Sequence, residues 1–179
     1  GPKALKTAGE VGDGVVLQIG SPALVQWFKD QAIVAGKEAG RDMSNYQVIA
    51  SAPAYFGTKE RCLEATKWFP AMVGNHVADI VEKYGDDSGL VPESLTSYIK
   101  NRQGYDYSKH GQSDNPFLDF ITEDIVDEFC VLGTVDDHIS KLKQLEEAGT
   151  TQFNIYLDNG DEENIVEKYG KHIIPKFTK

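Results

Sequence analysis

Three apolar runs of strand length, at 15–19, 46–52 and 151–157, are each reached through a helical pattern that ends in glycine. This alternation constrains the fold more than any other feature of the chain. Near-continuous apolar strands separated by helices pair in parallel, with the helices covering the sheet. The first helix opens at Gly1-Pro2, where a missing N–H costs nothing, carries Ala4, Leu5 and Ala8 on one face, and stops near Gly12-Asp13-Gly14. Ser21-Pro22 reads as an N-cap and first helical residue, and Leu24, Phe28, Ala32 and Ala35 form the buried stripe that follows. Gly40-Arg41-Asp42 turns the chain into the second strand. Pro53 cannot donate to a ladder, so that strand is expected to end or become unpaired there. Thr134-Val135-Asp136-Asp137 is an acidic variant of the capping box. It opens a helix expected to bury Val135, Ile139, Leu142 and Leu145 and to close at Gly149. A last helix over 162–169 precedes the tail around Pro175.

The spacing narrows the architecture. Val15 and Gln47 lie 32 residues apart, close to the roughly 30 per unit of a (β/α)8 barrel of about 250 residues. Gln47 and Gln152 are 105 apart, which implies an insertion of roughly 70 residues at the face where such barrels carry their chemistry. Three strands cannot close a barrel, and no strand precedes the first helix. The expectation is α/β, the C-terminal portion of a (β/α)8 TIM barrel: one partial barrel domain over 1–179, with a helical lid inserted at about 68–120. Within the strands, Val15, Leu17 and Ile19, and again Phe153, Ile155 and Leu157, alternate with Gln18, Ser51, Gln152, Asn154 and Tyr156. Polar groups on an inward face need partners, either one another or a ligand.

Charge removes several functions. The formal net charge of −10 offers no basic stripe for a nucleic acid and repels an anionic membrane. The apolar runs are too short to cross a bilayer, and no secretory pattern opens the chain. Cys62 and Cys130 lack metal or redox spacing, so buried free thiols in a reducing cytoplasm are expected. The histidines show no H-E-x-x-H pattern, and neither a G-x-S-x-G elbow nor a P-loop is present. Gly12-Asp13-Gly14 stands before a strand, the wrong order for a dinucleotide fingerprint.

Several stretches, in order, resemble the luciferase-like flavin- or deazaflavin-dependent oxidoreductases. Gly1-Pro2-Lys3-Ala4-Leu5 running into Ala8-Gly9-Glu10-Val11-Gly12-Asp13-Gly14-Val15 resembles that family's helix between the fifth and sixth strands. Ala39-Gly40-Arg41-Asp42 resembles its turn before the seventh. Phe129-Cys130-Val131-Leu132-Gly133-Thr134, with the later Leu145, Gly149 and Phe153, resembles the helix entering the eighth. Trp68-Phe69-Pro70-Ala71-Met72-Val73-Gly74-Asn75-His76 and Gly104-Tyr105-Asp106-Tyr107-Ser108 resemble the insertion of a deazaflavin-dependent subgroup.

The resemblance implies reduction or oxygenation of a small organic substrate with a reduced deazaflavin coenzyme or FMN. It places most ring contacts and the catalytic residues in a preceding N-terminal half. Gly1 and Pro2 match the helix start that meets the cofactor's phosphate, a role that free N–H groups suit. Ser21 stands where the sugar-phosphate-oxidising branch has a lysine, which argues against a sugar phosphate. Trp68, Asn75, His76, Tyr107 and His110 are the substrate-pocket candidates, with Tyr105 beside them, while His138 and His172 read as solvated. Unpaired strand edges would favour a homo-oligomer or association with the missing half. The alternative class is a non-catalytic half-barrel that serves binding or assembly.

The lid reading has a direct check by hydrogen exchange. Protection is expected within about 70–83 and fast exchange over about 107–115, where the sequence is rich in Gly, Ser and Asn. Uniformly fast exchange across 68–120 would exclude a helical lid.

Overall fold

The computed structural model describes residues 1–73 and 121–178. Among them are four parallel strands: β1 (Gly14–Leu17), β2 (Gln47–Phe56), β3 (Val131–Gly133) and β4 (Gln152–Tyr156). The helices are α1 (Pro2–Val11), α2 (Pro22–Glu38), α3 (Lys59–Thr66), α4 (Glu123–Phe129), α5 (Val135–Glu147) and α6 (Glu162–Lys168). A further helical stretch covers 68–73. After α6 the chain widens into a π-helical turn, Tyr169–Ile173, followed by a 3-10 turn, Ile174–Lys176. Among the described residues no helix is long and apolar enough to cross a membrane.

β2 is the shared strand. Gly14 to Leu17 pair with Gln47 to Ala50, Gln152 to Tyr156 pair with Ile49 to Pro53, and Val131 to Gly133 pair with Ala54 to Phe56. One sequence expectation is decided between its two outcomes here, and another is corrected. β2 does not end at Pro53 but continues to Phe56. Pro53 falls where pairing changes hands, after β1 has left at Ala50 and before β3 joins at Ala54, so its missing N–H is tolerated. The stretch 131–133, read as part of a helix approach, is instead the short strand β3. Its Gly133 has φ +107, a value that suits glycine. The outer strands differ too: β1 spans 14–17 rather than 15–19, and β4 is trimmed to 152–156.

Helix starts follow the sequence closely. Ser21 is buried and its hydroxyl oxygen accepts from the Leu24 N–H at 3.3 Å. Thr134 and Asp137 close a reciprocal capping box on α5. All four residues of the α2 stripe, Leu24, Phe28, Ala32 and Ala35, are buried. α1 differs: Leu5 and Gly9 are its buried residues, while Ala4 is exposed. The Ala39-Gly40-Arg41-Asp42 turn has a structural reason. Gly40 takes φ +75, and Arg41 then donates to the Gly9 and Gly12 carbonyls at the C-terminal end of α1.

α1 and α2 pack through small residues. A Cβ on Gly9 would run into the Ala32 carbonyl oxygen and stand 3.0 Å from the Ala35 Cβ. Gly9→Ala in an isolated helix would be stabilising by about 1 kcal/mol. In this chain the clash should dominate, and a net loss of about 2 kcal/mol is expected in urea unfolding, as for an overpacked core. A gain in stability would show that the two helices are not in close contact.

Candidate functional site

Register decides which side chains share a face. Val16, Ile49 and Gln152 align across the sheet, as do Ser51 with Asn154 and Pro53 with Tyr156. The other face presents Val48, Ala50, Ala52 and Ala54, each no more than 1% exposed in the packed core. The first face is open at β1, with Val16 62% exposed, whereas Ser51 and Pro53 of β2 are buried. Its polar groups find one another: Gln18 Nε2 donates to the Tyr156 hydroxyl at 2.8 Å, and Gln152 Nε2 to Asn154 Oδ1 at 2.6 Å. At the C-terminal end of β4, Trp68 and Phe69 bring their rings to 6.5 and 5.6 Å from that of Tyr156. The helical stretch 68–73 therefore packs over the strand ends. The indole N–H of Trp68 is engaged by the Ala65 carbonyl at 3.1 Å, leaving its ring as the contact surface. Asn75, His76, Tyr105, Tyr107 and His110 lie outside the described residues.

Two places near this face could receive an anion, and they differ. In the loop after β4 the Gly160 N–H donates to Glu162 Oε1 at 2.8 Å. The N–H groups of Glu162 itself, Gly160 and Asn159 hold that carboxyl below the usual carboxylate range. These donors are already taken. At the start of α1 the N-cap is the exposed Gly1, with no side-chain cap among the described residues and no acid in the first turn. Lys3 lies in that turn, and the macrodipole adds to its charge. A groove of about 500 Å³ runs from Gly1, Ala4 and Ala8 along β1 to Gln18 and Tyr156. It joins the helix start at Gly1 to the open face.

Other sequence candidates have structural partners. The Ser21 hydroxyl donates to Glu128 Oε1 and is 0% exposed, so it caps a helix inside the fold. His138 corrects the sequence reading: it is not solvated but 0% exposed, stacked on Phe56 at 3.9 Å. His172 is exposed, as expected. Cys62 and Cys130 are free and buried, and burial pushes both thiols up, away from nucleophilic thiolates. Asn159 was missed. Its Nδ2 donates to the Ala54 carbonyl at 3.1 Å, while Oδ1 is buried without a partner among the described residues. In sequence it is one residue of an Asp-Asn-Gly-Asp turn, with no signal that it reaches the sheet. Among the described residues no cluster of three or more His, Cys, Asp or Glu could hold a metal.

The family described as luciferase-like monooxygenase matches residues 1–152. The chain is 28% identical over 99% of its length to a 5,10-methylenetetrahydromethanopterin reductase of Methanopyrus kandleri, covering 48% of that protein. It is 26% identical, again over 99% of its length, to the reductase of the same name from Archaeoglobus fulgidus, covering 52% of it. It therefore spans about half the length of these curated relatives. Among solved structures it is similar to the coenzyme F420 dependent tetrahydromethanopterin reductase from Methanopyrus kandleri, with TM-score 0.67 and 25% identity over 99% of this chain and 49% of that one. An F420-dependent secondary alcohol dehydrogenase shares the fold, with TM-score 0.65 and 18% identity over 100% of this chain and 47% of that one.

If Tyr156 serves the open face as a packed wall, its ring matters more than its hydroxyl. Tyr156→Phe should cost about 0.5 kcal/mol or less, because the lost hydrogen bond is solvent-exposed. Tyr156→Ala should cost about 2 kcal/mol through the vacated contact with Trp68 and Phe69. Equal losses in urea unfolding would show that the polar pair, not the packing, holds this face.

Proposed function

The chain belongs to the luciferase-like monooxygenase family, and from that premise we propose that it forms the C-terminal part of a deazaflavin-dependent (β/α)8-barrel oxidoreductase. The observation that carries this reading is the alignment, over nearly the whole chain, with half the length of reductases whose solved relative is coenzyme F420 dependent. Parallel strands gathered on β2, with one polar face left open, are what a barrel sector provides. The substrate is a small organic molecule, held at the C-terminal ends of the strands, and the inserted segment at about 68–120 covers it. Cytoplasmic localisation fits a cofactor of this class.

The residues present fit one end of a deazaflavin. The uncapped start of α1 at Gly1 and Pro2 would hold its phosphate, since free N–H groups and the positive end of the dipole favour an anion. The loop after β4 is a poorer phosphate site, because Glu162 occupies its donors. When bound, a reduced deazaflavin supplies a hydride to the substrate. This chain contributes the wall beside that event: Gln18 and Tyr156 orient each other, and the rings of Trp68, Phe69 and Tyr156 exclude water from the strand ends. Trp68, Asn75, His76, Tyr107 and His110 make up the chain's share of the proposed substrate pocket.

The ring contacts and the catalytic residues are proposed to come from the other half of the barrel. Residues 1–179 alone should therefore show no turnover. Steady substrate-dependent oxidation of reduced deazaflavin by the purified chain, above the free cofactor's background, would overturn this. The absorption spectrum of the longer protein, purified with its chromophore, should be that of a deazaflavin; a flavin spectrum would restore FMN.

A further inference from the structure

His138 takes no part in the proposed chemistry, yet both ring nitrogens and one ring face are engaged. Phe56 stacks on that face with ring planes 9° apart. Nδ1 lies 3.1 Å from the Tyr169 hydroxyl, and Nε2 lies 3.2 Å from the Tyr55 carbonyl oxygen. A carbonyl oxygen can only accept, so Nε2 must carry the hydrogen. In the neutral ring Nδ1 is then an acceptor, and Tyr169 must donate to it. The site is thus built for one tautomer of the uncharged imidazole. A proton added at Nδ1 would force the Tyr169 hydroxyl to reverse. Its own hydrogen would then point away from the ring, in a residue that is 5% exposed.

The two partners belong to separate parts of the fold. Tyr55 lies at the end of β2, two residues before the chain leaves at Gly57, and Tyr169 begins the C-terminal π-helical turn. We propose that His138 is a proton-operated latch: while neutral it fastens the C-terminal segment 169–178 to the end of β2, and protonation releases that segment.

The charged groups around it set the direction. Asp137 neighbours His138 on α5, with its carboxylate engaged by the Thr134 N–H and hydroxyl. Lys168 of α6 holds its ammonium 4.6 Å from the centroid of the Phe56 ring. Tyr55 and Tyr169 are uncharged. Burial pushes His138 down to about 4; the Tyr55 carbonyl and Asp137 oppose this, and Lys168 adds to it. In the released state the ordinary value of 6.5 applies. Between these two values the released form binds more protons than the latched one. The latch is therefore at full strength above about pH 6.5, weakens as pH falls, and changes no further below about pH 4. Across that window the opening constant should rise by up to about tenfold per pH unit.

The full chain, labelled with ¹⁵N at histidine, should show His138 as the neutral Nε2–H tautomer at neutral pH. Native-state hydrogen exchange, corrected for the intrinsic rate, should show the amides of 169–178 opening more readily as pH is lowered, with the predicted slope. Amides of α2 that open without freeing His138 should not follow, whereas any that exchange only by global unfolding share the slope, because that also frees His138. His138→Gln keeps a donor for the Tyr55 carbonyl but cannot titrate, so it should flatten that slope. An Nδ1–H tautomer, a charged ring at neutral pH, or an unchanged slope in His138→Gln would overturn the latch. Should the variant not fold, the tautomer and the wild-type slope decide the matter alone.

Discussion

Every strand in the described fold is registered against β2, and β2 can serve them all because its packed face is narrow. Val48, Ala50, Ala52 and Ala54 present one small side chain after another, and the three alanines are 0% exposed. The crossing from β1 into α2 uses the same economy of space. A Cβ on Gly20 would run into the Phe129 carbonyl oxygen and lie 3.3 Å from the Ala52 Cβ, while the Gly20 N–H donates to that same carbonyl at 2.9 Å. Larger residues along this face would push the covering helices away and lose the contacts that order them. Because β2 is held this tightly, its C-terminal end can act as a fixed point from which the chain departs toward α3 and 68–73.

The helices were legible in the sequence because their ends are marked by chemistry that acts locally. Pro2, the Ser21-Pro22 pair and the Thr134–Asp137 box each satisfy or remove orphan N–H groups, and each stands where it was expected. Strand ends were less legible, since pairing depends on what arrives from elsewhere. Whether Pro53 ended its strand or only lost a partner depended on neighbours the sequence does not show, and β3 is too short for periodicity to detect. His138 was misread for a different reason. It lies three residues after Val135 and four before Leu142, which places it on the buried stripe of α5. Residue type suggested solvent, but helical position was the better guide. The alternation of Gln18, Gln152, Asn154 and Tyr156 was legible as a polar face, and its partners proved to be one another.

The two helix starts near the open face show why position alone does not identify an anion site. In the loop after β4, backbone N–H groups converge as they would on a phosphate, but Glu162 folds back and takes them. α1 lacks any such internal carboxylate, and its cap residue is a glycine. A dipole end without an internal partner is the one still able to stabilise an external charge.

The open face also bears on the barrel reading. Val16 is an apolar residue left 62% exposed, and β1 has its groove of about 500 Å³ running alongside. On the far side of the sheet, β4 borders a second groove of about 310 Å³, lined by Leu142, Phe153, Ile155, Tyr169 and Ile173 among others. Both outer strands thus meet apolar space beside a row of backbone groups with no strand opposite among the described residues. An isolated sheet of this size would usually guard such edges with lysine, proline or a bulge. Here β1 and β4, Gly14–Leu17 and Gln152–Tyr156, carry no lysine or proline. Unguarded edges flanked by apolar grooves are what a sector of a closed barrel must have, because closure itself is the guard. On the barrel reading proposed above, the exposed Val16 would be an interior residue.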